Sequence, residues 1–325
     1  MSIAFAGAGA RKKGAAPGGR VARGSRKASV PVQPIKKQGA MSPWFFVLPA
    51  IVLTLTFVIG PFVNTIRLSF TNSTLLKPGS FVGLQQYQAV FQDPLLRTAL
   101  LNSTIYAICM APCMVILPLI LAVLVNKKGR VMSFFRVAFY LPTVAGSVVS
   151  GLIWTNMLSA RGLINSIFKA LHWITEPIPF LQDRWLLLFS AMIVTVWGGL
   201  GYYMVIYLAA LANIDHSLYE AASLDGAGPI RQFISVTMPG CRLTMVLILL
   251  LSSVAAFRVF NEIYIFTDGT GGIGGQDTTM TMLIMRNGTG LTARTGYASA
   301  LSIIMFLILA VVTTIELIVQ RKADD

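Results

Sequence analysis

Three polar residues, Arg258, Asn261 and Glu262, stand close together near the end of a long apolar run. A charge at the centre of a membrane-spanning helix costs about 2.5–3.5 kcal/mol on insertion scales, so such groups normally pair or face water. Arg258 and Glu262 are four residues apart and can pair on one helix face. We predict that this face lines a polar passage and offers planar hydrogen-bonding groups to hydroxyls. The alternative is an Arg–Glu pair that lies near the membrane interface or bonds a neighbouring helix.

A second group combines aromatic rings with glycine in another apolar run, where Trp197, Tyr202 and Tyr203 flank Gly198, Gly199 and Gly201. Glycines at this density weaken a helix and allow an unwound or kinked midpoint in a membrane span. Flat aromatic rings with polar edges suit stacking on a sugar-like ring. We therefore add Trp197, Tyr202 and Tyr203 to the predicted path, while close helix approach and aromatic packing explain the same residues equally simply.

Residues for enzymatic chemistry are scarce. The sequence contains no GxxxxGK[ST] phosphate loop, and its two histidines, His172 and His216, give no basis for a metal site or a Ser/His/Asp triad. The three cysteines are predicted to be buried thiols. Residues 268–277 contain a GxGxxG-like pattern, but no strand precedes it, so we predict a flexible glycine-rich loop. We predict no catalytic residue, no metal ligand and no cofactor in this chain.

Composition decides the fold class. The 325 residues are 55% apolar and only 12% charged, with a mean hydropathy of +0.72, whereas soluble domains are about 25% charged. A disordered chain is excluded and a water-soluble enzyme is disfavoured. Six apolar segments approach the roughly 20 residues that cross a bilayer. We predict an all-α membrane protein with six transmembrane helices near residues 44–66, 98–126, 137–157, 186–212, 243–266 and 298–319.

The net charge of +14 predicts orientation rather than nucleic-acid binding. Nine of the 26 basic residues fall within the first 43 residues, which contain no acidic residue. Basic residues are also about twice as dense in the loops near 127–136 and 213–242 and in the C-terminal tail as in the other loops. The positive-inside rule therefore places both termini in the cytoplasm of a multi-pass cell-membrane protein. The predicted regions are a disordered basic tail (1–42), a membrane domain (43–320) and a short C-terminal tail (321–325).

The longest inward loop, 213–242, has the pattern of two short helices joined by a turn. Ser217 and Glu220 have the spacing of a capping box, which predicts a helix from about Leu218. Gly226 and Gly228 can end that helix, and Pro229 can open a second one. Ala221 and Ala222 give the first helix a face without bulk, which lets another protein approach closely. The loop is therefore predicted to be a cytoplasmic docking element.

The same loop resembles a known motif. Glu220-Ala221-Ala222, then Gly226, Val236, and Met238-Pro239 have the spacing of the EAA loop of ABC-transporter importer permeases, with Val236 for isoleucine and Met238 for leucine. Four further stretches resemble the carbohydrate-uptake (maltose-type) branch of these permeases: FVGLQQYQAVFQDPLLRTALLNS (81–103), FYLPTVAGSVVSGLIW (139–154), FRVFNEIYIFTDGTGG (257–272) and GYASALSIIMFL (296–307).

The resemblance implies one subunit of a larger importer. Its partners would be a second similar permease, two cytoplasmic ATPase subunits that bind ATP and Mg, and an external solute-binding protein or lipoprotein that delivers a sugar. Glu220 would contact an ATPase, Gly226 would permit the turn, and Ala221, Ala222 and Pro239 complete the coupling motif. Three alternatives remain open: a permease for another polar solute such as glycerol phosphate, a secondary transporter or channel, and a membrane enzyme such as a glycosyltransferase.

Overall fold

A computed structural model of the chain describes residues 42–324. Except for Ser42, the predicted disordered tail lies outside the described residues. The chain divides into two compact units, Met1–Leu53 and Thr54–Asp325, and the described part of the first lies in helix α1 (Ser42–Thr54).

Helices make up nearly all of the regular structure in residues 42–324. They are α1 (Ser42–Thr54), α2 (Gly60–Ser69), α3 (Gln85–Gln92), α4 (Pro94–Val125), α5 (Arg130–Ala145), α6 (Ser147–Leu158), α7 (Leu163–Ala170), α8 (Arg184–Leu211), α9 (His216–Leu224), α10 (Pro229–Gln232), α11 (Met238–Gly240), α12 (Arg242–Phe257), α13 (Asn261–Phe266), α14 (Met280–Gly288) and α15 (Thr295–Asp324). Single π-helical turns occupy Leu55–Ile59 and Phe233–Thr237, and a 3-10 turn occupies Ile273–Gly275. Over the same stretch, extended pairing is limited to a bridge between Thr71 and Phe81. The predicted all-α fold is confirmed.

Five segments are long and apolar enough to cross a membrane: Val47–Ser69, Pro94–Val125, Arg184–Leu211, Arg242–Phe266 and Thr295–Arg321. They correspond to predicted spans one, two, four, five and six. The predicted third span is a broken element, in which Arg130–Ala145 and Ser147–Ala170 meet at an angle of 98°. Gly146, with φ 72°, lies at the bend. Residues 42–324 therefore contain five candidate spans, or six if the bent pair crosses as one.

Helix α4 packs against both α8 and α12 at the centre of the second unit. Tyr207 on α8 donates a hydrogen bond to the Val115 carbonyl of α4 at 2.9 Å, which satisfies a buried hydroxyl in an apolar core. The sixth span, α15, packs against α2 and α14.

Helix α8 is continuous through its glycines, so of the two explanations that the sequence allowed, the structure has the close helix approach and not an unwound midpoint. Gly201 instead lies against the backbone of Phe139 and Tyr140 on α5, where a Cβ atom would overlap main-chain atoms. Close helix packing of this kind requires small residues at the contact. The glycine therefore serves the approach of α5 to α8.

The prediction that all three cysteines are buried is only partly correct. All three cysteines are free: Cys241 is buried, Cys109 is half-buried and Cys113 is exposed. Cys113 lies on the outer face of α4, which hydropathy alone does not distinguish from its inner face. Burial raises the pKa of the Cys241 thiol, which disfavours the reactive thiolate.

Candidate functional site

The loop at 213–242 begins its first helix earlier than the sequence predicted. Asp215 is the N-cap of α9, and its carboxylate accepts a hydrogen bond from the Ser217 amide at 2.9 Å. Hydrogen bonds from the Ser217 backbone and side chain lower the pKa of Asp215. Glu220 contacts His216 Nδ1 at 3.2 Å rather than the cap. The capping-box prediction is wrong because Asp215, itself a strong cap, stands two residues ahead of Ser217.

The end of α9 follows the sequence prediction. Gly226 has φ 77°, its amide donates to the Ser223 carbonyl at 3.0 Å, and the Ala227 amide donates to the Ala222 carbonyl at 2.9 Å. This pair of bonds is a Schellman motif, which requires a left-handed residue and so favours glycine. Pro229 then opens α10 at its first position.

The two halves of the loop are joined by side chains. Tyr219 lies 3.0 Å from the Thr237 hydroxyl, and Gln232 donates to the Ser223 hydroxyl at 2.9 Å. Glu220, Ala221 and Pro239 are exposed and Ala222 is half-buried. Two large apolar side chains beside them also face outward, Leu224 at 91% exposure and Ile230 at 78%. The loop thus exposes small, acidic and apolar groups side by side on short helices that hydrogen bonds hold together.

A cavity of about 390 Å³ lies between α4, the α5–α6 bend, α8 and the α12–α13 region. Its volume is within the range of small-molecule sites, about 300–1,000 Å³. Five of the six predicted path residues line it: Tyr202, Tyr203, Arg258, Asn261 and Glu262.

Arg258, Asn261 and Glu262 reach the cavity through a helix break that the sequence did not reveal. Helix α12 ends at Phe257 and α13 begins at Asn261. The predicted Arg258–Glu262 pair on one helix face is therefore wrong, and the two side chains form no ion pair within 4.0 Å. Asn261 donates to the Ser147 hydroxyl at 2.7 Å across the cavity. Because the helix is interrupted, Arg258, Asn261 and Glu262 do not share one helix face, and all three can line the cavity.

The aromatic residues of α8 separate into two places. Tyr202 and Tyr203 line the cavity with ring centroids 5.2 Å apart. Trp197 instead packs edge-on against Trp154, with centroids 5.8 Å apart, in a groove lined by neither tyrosine. The structure thus brings the tyrosines to the polar groups and leaves Trp197 elsewhere.

Sequence reasoning missed several hydroxyl-bearing residues of the cavity, among them Tyr106, Ser147 and Thr195. Tyr106 on α4 donates to the Ala191 carbonyl at 3.0 Å and lies 2.7 Å from the Thr195 hydroxyl. Thr195 in turn interacts with the Glu262 carboxyl group. Each lies in a largely apolar stretch, where hydropathy does not show which way a polar side chain points.

A buried polar cluster lies where the 268–277 loop meets α4 and α8. Asn102 Nδ2 donates to the carbonyls of Gln276 and Thr278, both at 2.9 Å, and Asn102 Oδ1 accepts from Arg184 at 2.9 Å. Asp277 is 3% exposed, and the charge of Arg184 acts on it. The loop predicted to be flexible is therefore tied to two spans. Across the described part of the chain, no cluster of three or more His, Cys, Asp or Glu side chains could hold a metal ion.

The stability of the fold should depend on pH through Asp277. Burial raises its pKa to about 6, the Asp183 charge acts in the same direction, and Arg184 and a Gln276 hydrogen bond oppose the rise. Because the folded-state pKa exceeds the unfolded value of 3.8, the charged form reduces stability at neutral pH, and this loss shrinks as pH falls from about 6 towards 3.8. Lowering the pH from 7.5 to 5 is expected to stabilise the fold by about 1.4 kcal/mol through this group.

Thermal unfolding of the purified protein at both pH values measures this effect. Asp277→Asn should lose that part of the pH response, whereas Asp225→Asn, which changes an exposed carboxyl, should keep it. An unchanged pH response in Asp277→Asn would contradict the assignment.

Comparisons with known proteins show the family of the chain. Residues 89–325 match the family described as the binding-protein-dependent transport system inner membrane component, and the chain belongs to that family. Family members of this kind are permease subunits of ABC importers.

Several named relatives are similar over nearly their whole length. The lactose transport system permease protein LacF of Rhizobium radiobacter is 31% identical, over 89% of this chain and 97% of LacF. The arabinooligosaccharides transport system permease protein AraP of Halalkalibacterium halodurans is 30% identical, over 87% and 90%. In fold, the chain is similar to a bacterial ABC transporter that imports the acidic polysaccharide alginate, with a TM-score of 0.75, 20% identity, and coverage of 86% of this chain and 95% of that one.

Proposed function

We propose that this permease forms, with a second similar subunit, the path by which a carbohydrate enters the cell. The observation that carries the proposal is the cavity in which Tyr202 and Tyr203 face Arg258, Asn261 and Glu262. Flat rings beside a guanidinium, an amide and a carboxylate suit a solute with hydroxyls on its edge and an apolar face. One positive and one negative side chain favour a neutral polyol over an anion such as glycerol phosphate.

The relatives support a carbohydrate as the substrate class. LacF and AraP are named for lactose and arabinooligosaccharides, and one solved relative is an alginate transporter in complex with an alginate pentasaccharide-bound periplasmic protein. We extend to this chain a solute-binding protein on the outside and two ATPase subunits, which bind ATP and Mg, on the inside. Both termini and the 213–242 loop lie in the cytoplasm in this proposal, as the basic residues predict.

The exposed loop is the proposed contact with an ATPase. Glu220 and Ala221 are exposed on α9 beside the apolar side chain of Leu224, so a charged group, a small surface and an apolar anchor occupy one face of the loop. The hydrogen bond between Tyr219 and Thr237 links the two halves of the loop. A displacement of α9 by the ATPase is therefore transmitted to α12, which follows the loop.

Glu262→Gln tests the cavity. The substitution keeps the side-chain shape but removes a charged acceptor, and hydrogen bonds to charged groups contribute about 1.5–3 kcal/mol. We expect the KM for uptake by the reconstituted complex to rise about tenfold. The matched control is Glu316→Gln, which changes a second membrane glutamate that accepts from Ser253 at 3.1 Å and does not line the cavity. Equal KM values for the two variants would contradict the proposal.

A further inference from the structure

The break in the fifth span leaves backbone groups that need partners. In an unbroken helix, the Val259 carbonyl would accept a hydrogen bond from the amide four residues later. At this break it accepts from the Thr279 hydroxyl at 2.9 Å, and both groups are buried, with Thr279 at 0% and Val259 at 5% exposure. An unsatisfied buried carbonyl is costly, so this single bond supports the non-helical backbone between α12 and α13.

The Thr279 hydroxyl is available for this bond because a residue of α4, rather than Thr279, caps the start of α14. Thr279 is the N-cap residue of α14, where a threonine hydroxyl commonly accepts from the first-turn amides, yet it makes no such cap. The Ser103 hydroxyl of α4 accepts from the Met280 amide at 3.0 Å instead. A cap supplied by α4 thus releases the Thr279 hydroxyl to hold the break.

The neighbouring residues fix the register of this arrangement. Asn102, next to Ser103 on α4, holds the Gln276 and Thr278 carbonyls on the near side of Thr279. Two adjacent α4 residues therefore hold residues 276–280 in place by hydrogen bonds. These hydrogen bonds place Thr279 next to the break. The break in turn allows Arg258, Asn261 and Glu262 to line the cavity.

We propose that Thr279, together with Ser103, is a positioning residue that holds the break at residues 258–260 so that the polar groups of the cavity face the solute. The proposal rests on the proposed function of the cavity. It gives the loop after the fifth span an indirect part in solute selection, because Thr279 itself does not line the cavity.

The test compares two threonines of the same segment in the reconstituted complex. Thr279→Val removes the hydroxyl that bonds Val259, whereas Thr281→Val removes a buried hydroxyl that has no hydrogen-bond partner in the described part of the chain. We expect Thr279→Val to raise the KM for uptake about tenfold with the maximal rate changed less than twofold. Thr279→Ser, which retains the hydroxyl, should restore the KM to within twofold, and Thr281→Val should match the wild type.

The outcomes separate this inference from the function on which it rests. If Thr279→Val has the KM of Thr281→Val while Glu262→Gln still raises it, the positioning role is overturned and the solute path stands. If Glu262→Gln also has no effect, the path itself is overturned. Should Thr279→Val fail to accumulate in the membrane, Ser103→Ala decides, because a KM rise of at least threefold supports the inference and a wild-type KM overturns it.

Discussion

Gly201→Ala is expected to destabilise the permease by about 3 kcal/mol, at the upper end of the usual cost of overpacking. The new Cβ would overlap the backbone of Phe139 and Tyr140, which cannot rotate away as a side chain can. Because α5 leads into the α5–α6 bend that walls the cavity, the strain should also reduce the amount of assembled protein. Thermal unfolding and size-exclusion profiles of the purified variant measure both effects.

Gly198→Ala is the matched control for stability, since it lies in the same helix and its Cβ would meet no atom within 4 Å. Alanine at an uncrowded helical position should be neutral or slightly stabilising. If the two variants unfold at the same temperature, the close contact between α5 and α8 is not present in the protein.

Gly226→Val is expected to reduce ATP-dependent uptake at least tenfold while leaving the amount of permease in the membrane unchanged. A left-handed conformation costs a residue with a Cβ about 1–2 kcal/mol, and a β-branched side chain is the least tolerated there. Gly226 has φ 77°, so valine would open the turn that sets α9 against α10. The change lies outside the spans, so coupling should fail while folding persists. Uptake and co-purification of the ATPase subunits are the readouts.

Gly228→Val controls for the added bulk. Gly228 is extended, with φ −70° and ψ 173°, and a Cβ there would meet open space. Valine accepts that conformation, so uptake should stay near the wild-type value. Equal loss of uptake in both variants would show that bulk, rather than the left-handed turn, is what the loop cannot accept.

The sequence predicted the features that short-range physics determines. Apolar length revealed five spans, and the combination of Gly226 with Pro229 revealed the turn in the 213–242 loop. The prediction failed where two local signals competed, because Asp215 and Ser217 are both good caps and the sequence does not rank them. At Gly201 the sequence allowed both an unwound midpoint and a close helix approach, and it could not decide between them because the contacting residues Phe139 and Tyr140 lie about 60 residues away along the chain.

The candidate site was only partly predictable for the same reason. Arg258, Asn261 and Glu262 stood out as costly groups in an apolar run, and the structure places all three on one cavity. Their directions depend on the break at 258–260, which is stabilised by Thr279, 20 residues further along the chain. Asn102 contacts Gln276 and Thr278 across more than 170 residues. Hydrogen bonds over such separations leave no periodic signal, so hydropathy showed an unbroken span.

Sugar import can be tested directly by measuring uptake across a panel of neutral sugars in proteoliposomes that contain this permease with its candidate partner permease, ATPase subunits and solute-binding protein. We expect that at least one carbohydrate accumulates, that accumulation requires both ATP and the binding protein, and that Glu262→Gln raises its KM about tenfold. Transport by this chain alone without ATP, or no carbohydrate uptake by the complete and ATP-hydrolysing complex, would contradict this expectation.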